Sequence, residues 1–162
     1  MKKQEGFSLI EVLVVVAIIL IIAVIAIPTL LRSRIAANES SAVGSLRLIN
    51  AAQVTYASTY PTSGYAPSIS NLGPGSVPGN TNANSTNAVL LDSVLGCPVQ
   101  PCTKSGYSFQ LSATGGPPTY YASTGVPTTP GQTGQRRFYS DATGVIRYNQ
   151  TATATSTDSP IQ

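Results

Sequence analysis

The sequence predicts an α+β fold: a long, kinked N-terminal helix whose first half spans a membrane, packed on an antiparallel sheet of three or four strands. Three observations predict it. Sixteen apolar residues run unbroken from Val12 to Ile27. Beyond Ser33 the apolar residues take helical spacing, with Ile35, Ala42, Leu46, Ile49, Ala52 and Tyr56 on one face. After Cys102 the pattern changes to alternation over short segments rich in Tyr, Phe and Val, separated by turn formers.

The head, Met1 to Gly6, is short and polar, and Lys2 and Lys3 hold it on the cytoplasmic side by the positive-inside rule. The apolar run ends in Pro28-Thr29-Leu30-Leu31-Arg32, with no small-residue cleavage site, so the span is retained. Phe7 to Leu31 makes 25 residues, and at about 1.5 Å each that is roughly 37 Å of helix, enough to cross a bilayer. Its one charge is Glu11. A carboxylate at the centre of a bilayer costs roughly 2.5 kcal/mol or more, so Glu11 demands a partner.

Pro28 lacks an amide donor and crowds the preceding turn, which predicts a kink or a melted stretch there. From Ser33 the amphipathic pattern marks a helix leaving lipid for a globular domain, with Arg34, Glu39, Ser45, Arg47 and Asn50 placed largely off the apolar face. Tyr60-Pro61 closes the helix near Ser58. The predicted boundaries are a head at 1–6, an apolar helix at 7–31, an amphipathic half at 32–58, a loop-plus-sheet domain at 59–148 and a flexible polar tail at 149–162.

Lys2-Lys3, then Gly6-Phe7-Ser8-Leu9-Ile10-Glu11-Val12, an apolar helix and a proline at Pro28 together resemble the class III signal peptide of type IV pilins and type II secretion pseudopilins. The likeness covers the first 55 residues or so closely and the rest only in layout. It implies cleavage after Gly6 by a prepilin peptidase, N-methylation of Phe7, and a helix that bends or unwinds at Pro28 as the subunit leaves the membrane. It also implies assembly into a homopolymer in which Glu11 pairs with the new ammonium on Phe7 of a neighbour, each charge offsetting the other's burial.

Residues 61–89 are rich in Gly, Pro, Ser, Asn and Thr and predict an irregular connection with one short element around Ser68 to Leu72. In pilins this segment varies and contributes to the filament surface. Ala88 to Gly96 predicts an apolar turn or helix closed by Gly96. The strand candidates are Tyr107–Leu111, Thr119–Ser123, Arg137–Ser140 and Val145–Tyr148, with Gly125 to Gly131 as a connection and Asp141-Ala142-Thr143-Gly144 as a turn.

Composition narrows function by exclusion. The 162 residues carry a net charge of +3, but only 9% are charged and the cations are scattered, so no nucleic-acid surface is predicted. There is no His, which removes the commonest general base and metal ligand. No cofactor or metal site is expected: Asp92, Asp141 and Asp158 are too sparse for a calcium loop, and Asp141 reads as a turn opener. Cys97 and Cys102 are near enough to close a small loop, and in an exported chain a disulfide is expected there rather than two free thiols.

The resulting expectation is a non-enzymatic subunit of a bacterial type IV pilus. Its partners would be copies of itself, the prepilin peptidase and the inner-membrane assembly platform with its motor; it would sit in the inner membrane first and on the cell surface after assembly. Two rivals stand beside it: a major pseudopilin, whose filament would be periplasmic, and a single-pass membrane-anchored binding module or enzyme.

Overall fold

The computed structural model describes residues 7–75 and 81–161. Helix α1 runs from Leu9 to Thr59, followed by a single-turn helix α2, Ile69–Leu72. Five strands come next: β1 Cys102–Lys104, β2 Tyr107–Gly115, β3 Pro118–Pro127, β4 Arg137–Asp141 and β5 Ile146–Asn149. They form one antiparallel meander in the order β1-β2-β3-β4-β5.

The chain divides into two compact units, Met1–Arg34 and Ile35–Gln162. In the first, the described residues are helical from Leu9 onward and exposed throughout except for half-buried Ala23. The second has a core of its own. Ala42, Leu46, Ile49, Ala52 and Tyr56 of α1 are buried, as the helical spacing predicts. They face Tyr107, Phe109 and Leu111 of β2, Tyr121 of β3 and Phe138 of β4 within one cluster completed by Ile69, Leu72 and Leu95.

The register explains how the sheet fits against the helix. One row runs Cys102, Phe109, Gly125, Phe138, Tyr148 across all five strands. Gly125 lies between two phenyl rings. A Cβ there would stand 3.1 Å from the Phe109 ring and 3.8 Å from Leu46, so any side chain would have to push the ring back, and glycine lets ring and helix close in together. The neighbouring row, Leu111, Ser123, Ser140, Ile146, is polar at its centre. There Asn50 Nδ2 donates to Ser140 Oγ at 2.7 Å and Tyr121 Oη donates to Asn50 Oδ1 at 3.2 Å, so the half-buried amide of α1 is satisfied from the sheet.

The sheet exceeds the three or four strands expected. The added strand, β1, is three residues long, too short for alternation to register. Its signal is the turn behind it: Ser105 and Gly106 both have positive φ, 50° and 72°, the pattern of a two-residue hairpin loop matched to strand twist. The predicted connection at Gly125 to Gly131 is also corrected, because β3 continues through Pro127. Helix α2 falls in the segment where a short element was expected.

The flexible tail expected at 149–162 is corrected as well. Residues 150–161 fold back along β5, with Tyr148 N donating to Ser159 O and Ile161 N to Ile146 O. Arg147 Nη1 donates to Asp158 O at 2.9 Å, and the Asp158 carboxylate accepts from Asn149 Nδ2 and Thr155 N. Ala154 is buried. A Thr/Ala-rich composition offers little apolar surface, and the segment is seated instead by Asp158, the two backbone pairings, buried Ala154 and Ile161 against the core.

Candidate functional site

Among the described residues, one helix is long and apolar enough to cross a membrane, and its most apolar window buries none of its residues. Phe7 is 90% exposed, and the large side chains from Leu9 to Leu31 are exposed along the whole circumference. A helix apolar all round has no stable place in water.

Glu11 sits in the first turn of α1. Its Oε2 accepts the backbone N–H of Ser8 at 2.9 Å. Ser8 precedes the helix and Glu11 is its third residue, so this is the carboxylate half of a capping box, which Ser8-Leu9-Ile10-Glu11 spells in the sequence. In the single chain, therefore, Glu11 answers an orphan amide of its own helix. Gly6, Lys2 and Lys3 lie outside the described residues.

Pro28 lies within α1, whose helical assignment continues through it, so the melted alternative is not the conformation here. Proline leaves the Val24 carbonyl without its usual amide donor. Next to it, Thr29 Oγ1 donates to Ile25 O at 3.2 Å and Ser33 Oγ to Thr29 O at 3.0 Å, back-bonds that tend to bend helices.

In the second unit, Glu39 departs from the polar face assigned to it and is buried. Its Oε1 accepts the backbone N–H groups of Gln135 and Arg136 at 2.9 and 3.1 Å, and its Oε2 accepts Arg136 Nε at 2.7 Å. Burial pushes its carboxyl up, but those three bonds and the guanidinium charge outweigh it and hold the group below the usual range. The Arg136 guanidinium lies 5.6 Å from the Phe138 ring centre and 5.4 Å from that of Tyr148. Asn38 Nδ2 donates to Thr133 O at 2.9 Å, one residue away on the same helix. Together these fasten α1 to the loop before β4. No periodicity argument distinguishes a buried Glu from an exposed one; the available signal was Arg136 in a stretch otherwise free of charge since Lys104.

Cys97 and Cys102 form the expected disulfide, with Cα atoms 5.5 Å apart. Asp141 opens the turn before β5: Oδ1 accepts Thr143 N and Oγ1 at 2.9 and 2.6 Å, and Gly144 closes it at φ 75°. Oδ2 accepts Tyr120 Oη at 3.2 Å. Burial pushes this carboxyl up, but the bonds from Thr143, Tyr120 and Tyr139 outweigh it and hold the group below its ordinary value. Asp92 is paired with Lys104 at 2.9 Å.

The arrangement thus comprises an unburied apolar helix headed by Phe7 and Glu11, and a separately cored unit held by paired charges and a disulfide. No curated protein and no solved structure matches the chain. Residues 1–27 carry the prokaryotic N-terminal methylation motif, the signature that type IV pilins and pseudopilins share.

Proposed function

We propose that the chain is a structural subunit of a bacterial type IV pilus. A prepilin peptidase cuts after Gly6, Phe7 becomes the methylated N-terminus, and residues 7–31 hold the subunit in the inner membrane before polymerising in a filament. One observation carries this reading: an apolar helix with no buried residue in its most apolar window, its first turns lying within a methylation motif at residues 1–27. Lipid covers such a surface in the precursor and sister helices cover it in a polymer.

The charges follow. Cleavage frees an ammonium on Phe7, and Glu11 of an adjacent subunit exchanges its Ser8 contact for that cation as both leave water. Pro28, with the back-bonding Thr29 and Ser33 beside it, supplies the bend that fits the helix into a bundle. The assembly platform and motor would draw subunits from the membrane.

Fractionation of cells producing the protein tests this. Polymer in the sheared extracellular fraction is expected. Polymer confined to the periplasm would instead make the chain a pseudopilin, and monomer alone in the membrane would overturn the polymer reading.

A further inference from the structure

Among the described residues, neither edge of the sheet is closed by a full-length strand. At β5 the returning residues Ser159 and Ile161 supply the missing hydrogen bonds. At β2 the cover is shorter, because β1 pairs only with Tyr107, Ser108 and Phe109 while β2 continues to Gly115. At Leu111 the ladder is completed by a side chain. Gln100 Nε2 donates to Leu111 O at 2.9 Å, and Gln100 Oε1 accepts Leu111 N at 3.2 Å. The same oxygen accepts Ile69 N of α2 at 3.3 Å. By the alternation of an antiparallel ladder, Ala113 is the next residue whose N–H and C=O face this edge.

Gln100 belongs to the six-residue loop closed by Cys97 and Cys102. The loop's apex is open to solvent, with Val99 81% exposed; Cys102 is buried and Cys97 half-buried, so Cys97 is the sulfur that an attacking thiol would meet. With the disulfide broken, the loop's N-terminal arm is still held as far as buried Leu95 and Gly96, which packs on Gly73, while Cys97 to Gln100 carry no charge to tie them down. Sheet edges are usually guarded by charge, yet no charged residue occurs between Lys104 and Arg136, so β2 and β3 have none. The guards present are Gln100 and the register shift at Thr114/Gly115.

We infer that the Cys97–Cys102 loop is a redox-operated guard of the β2 edge: oxidised, it seats Gln100 on Leu111; reduced, it releases Gln100, and the uncharged edge pairs with the same edge of a second copy. The reductant is a dithiol, which closes to its own disulfide and transfers two electrons and two protons to leave the Cys97 and Cys102 thiols. The inference holds whether or not the chain polymerises through α1.

The test uses the full-length chain in detergent micelles, reading amide exchange at Leu111 and particle mass with and without dithiothreitol. On reduction to two free thiols, Leu111 exchange is expected to rise about fivefold or more, the change carried by one lost amide bond. Particle mass should rise with protein concentration, and both effects should reverse on reoxidation. Gln100→Ala, with its disulfide intact, should show the fast exchange without reductant, while Gln100→Glu, which keeps an acceptor but loses the donor, should fall between. Ala113→Pro removes an edge-facing amide without touching the β3 side; it should abolish the mass increase and leave the fast Leu111 exchange. Unchanged Leu111 exchange in a chain with two free thiols would overturn the guard. Uniform acceleration across the whole unit would also overturn it, by assigning the disulfide to global stability alone.

Discussion

The two carboxylates on α1, Glu11 and Glu39, meet opposite surroundings. Glu11 is in the exposed apolar part of the helix and, among the described residues, accepts the Ser8 N–H; Glu39 is enclosed and holds three donors. Glu11→Ala should leave a processed, membrane-resident subunit that assembles poorly, since stranding one member of a buried ion pair costs about 3 to 5 kcal/mol. Sheared filament at wild-type levels from that variant would count against the pairing. For Glu39 the expectation concerns stability. Its folded-state carboxyl lies below the ordinary 4.5, so its ionised form stabilises the native state fully above that value, and the contribution is lost as pH falls through the folded-state pKa. Glu39→Gln should lower the urea midpoint at neutral pH, with the difference from wild type shrinking near pH 3; an equal difference at both would refute the charged clamp. Glu11 was legible in the sequence because an acid in an apolar run is anomalous. Glu39 was not, because an acid between apolar positions on an amphipathic helix looks solvated until its partners, almost a hundred residues away, are placed.

The elements owe their fit to a few residues that yield space or imitate backbone. Gln53, fully buried on α1, pairs with both the N–H and the C=O of Ala66 at 2.8 and 3.0 Å, as Gln100 does with Leu111. These amides stand in for ladder residues where the chain leaves regular structure. Gly125 does the opposite and contributes nothing but room. Gly125→Val should cost about 1 to 3 kcal/mol through overpacking against Phe109 and Leu46. A thermal midpoint equal to wild type would show that the row can shift at no cost. Strong alternation made β2, β4 and β5 readable. β1 was lost because three residues carry no period, and the far end of β3 because Gly125 and Pro127 read as loop formers, although proline is at home at a strand's end and glycine between two rings. Gly73 and Gly96 pass so closely that a side chain on either would strike the other's backbone, which docks α2 on the turn ending at Gly96. No spacing rule reveals a contact of that kind.

At the scale of the molecule, one helix runs through two solvents' worth of chemistry. The unit from Ile35 onward buries its own core and should fold without the rest. Removing residues 1–34 is expected to give a soluble, cooperatively unfolding protein, whereas the full chain partitions into detergent; aggregation of the truncated form would mean that its core is incomplete. The apolar unit has no such independence. Its exposed circumference, the methylation motif and the Glu11 carboxylate are what the proposed exchange of lipid for copies of itself rests on. The sequence announced the apolar helix plainly, since hydropathy needs no tertiary partner to be read. The most direct measurement is the N-terminal mass of the protein sheared from cells: the account predicts a chain beginning at Phe7 and heavier by one methyl group. A chain that begins at Met1, or at Phe7 without the methyl, would contradict it.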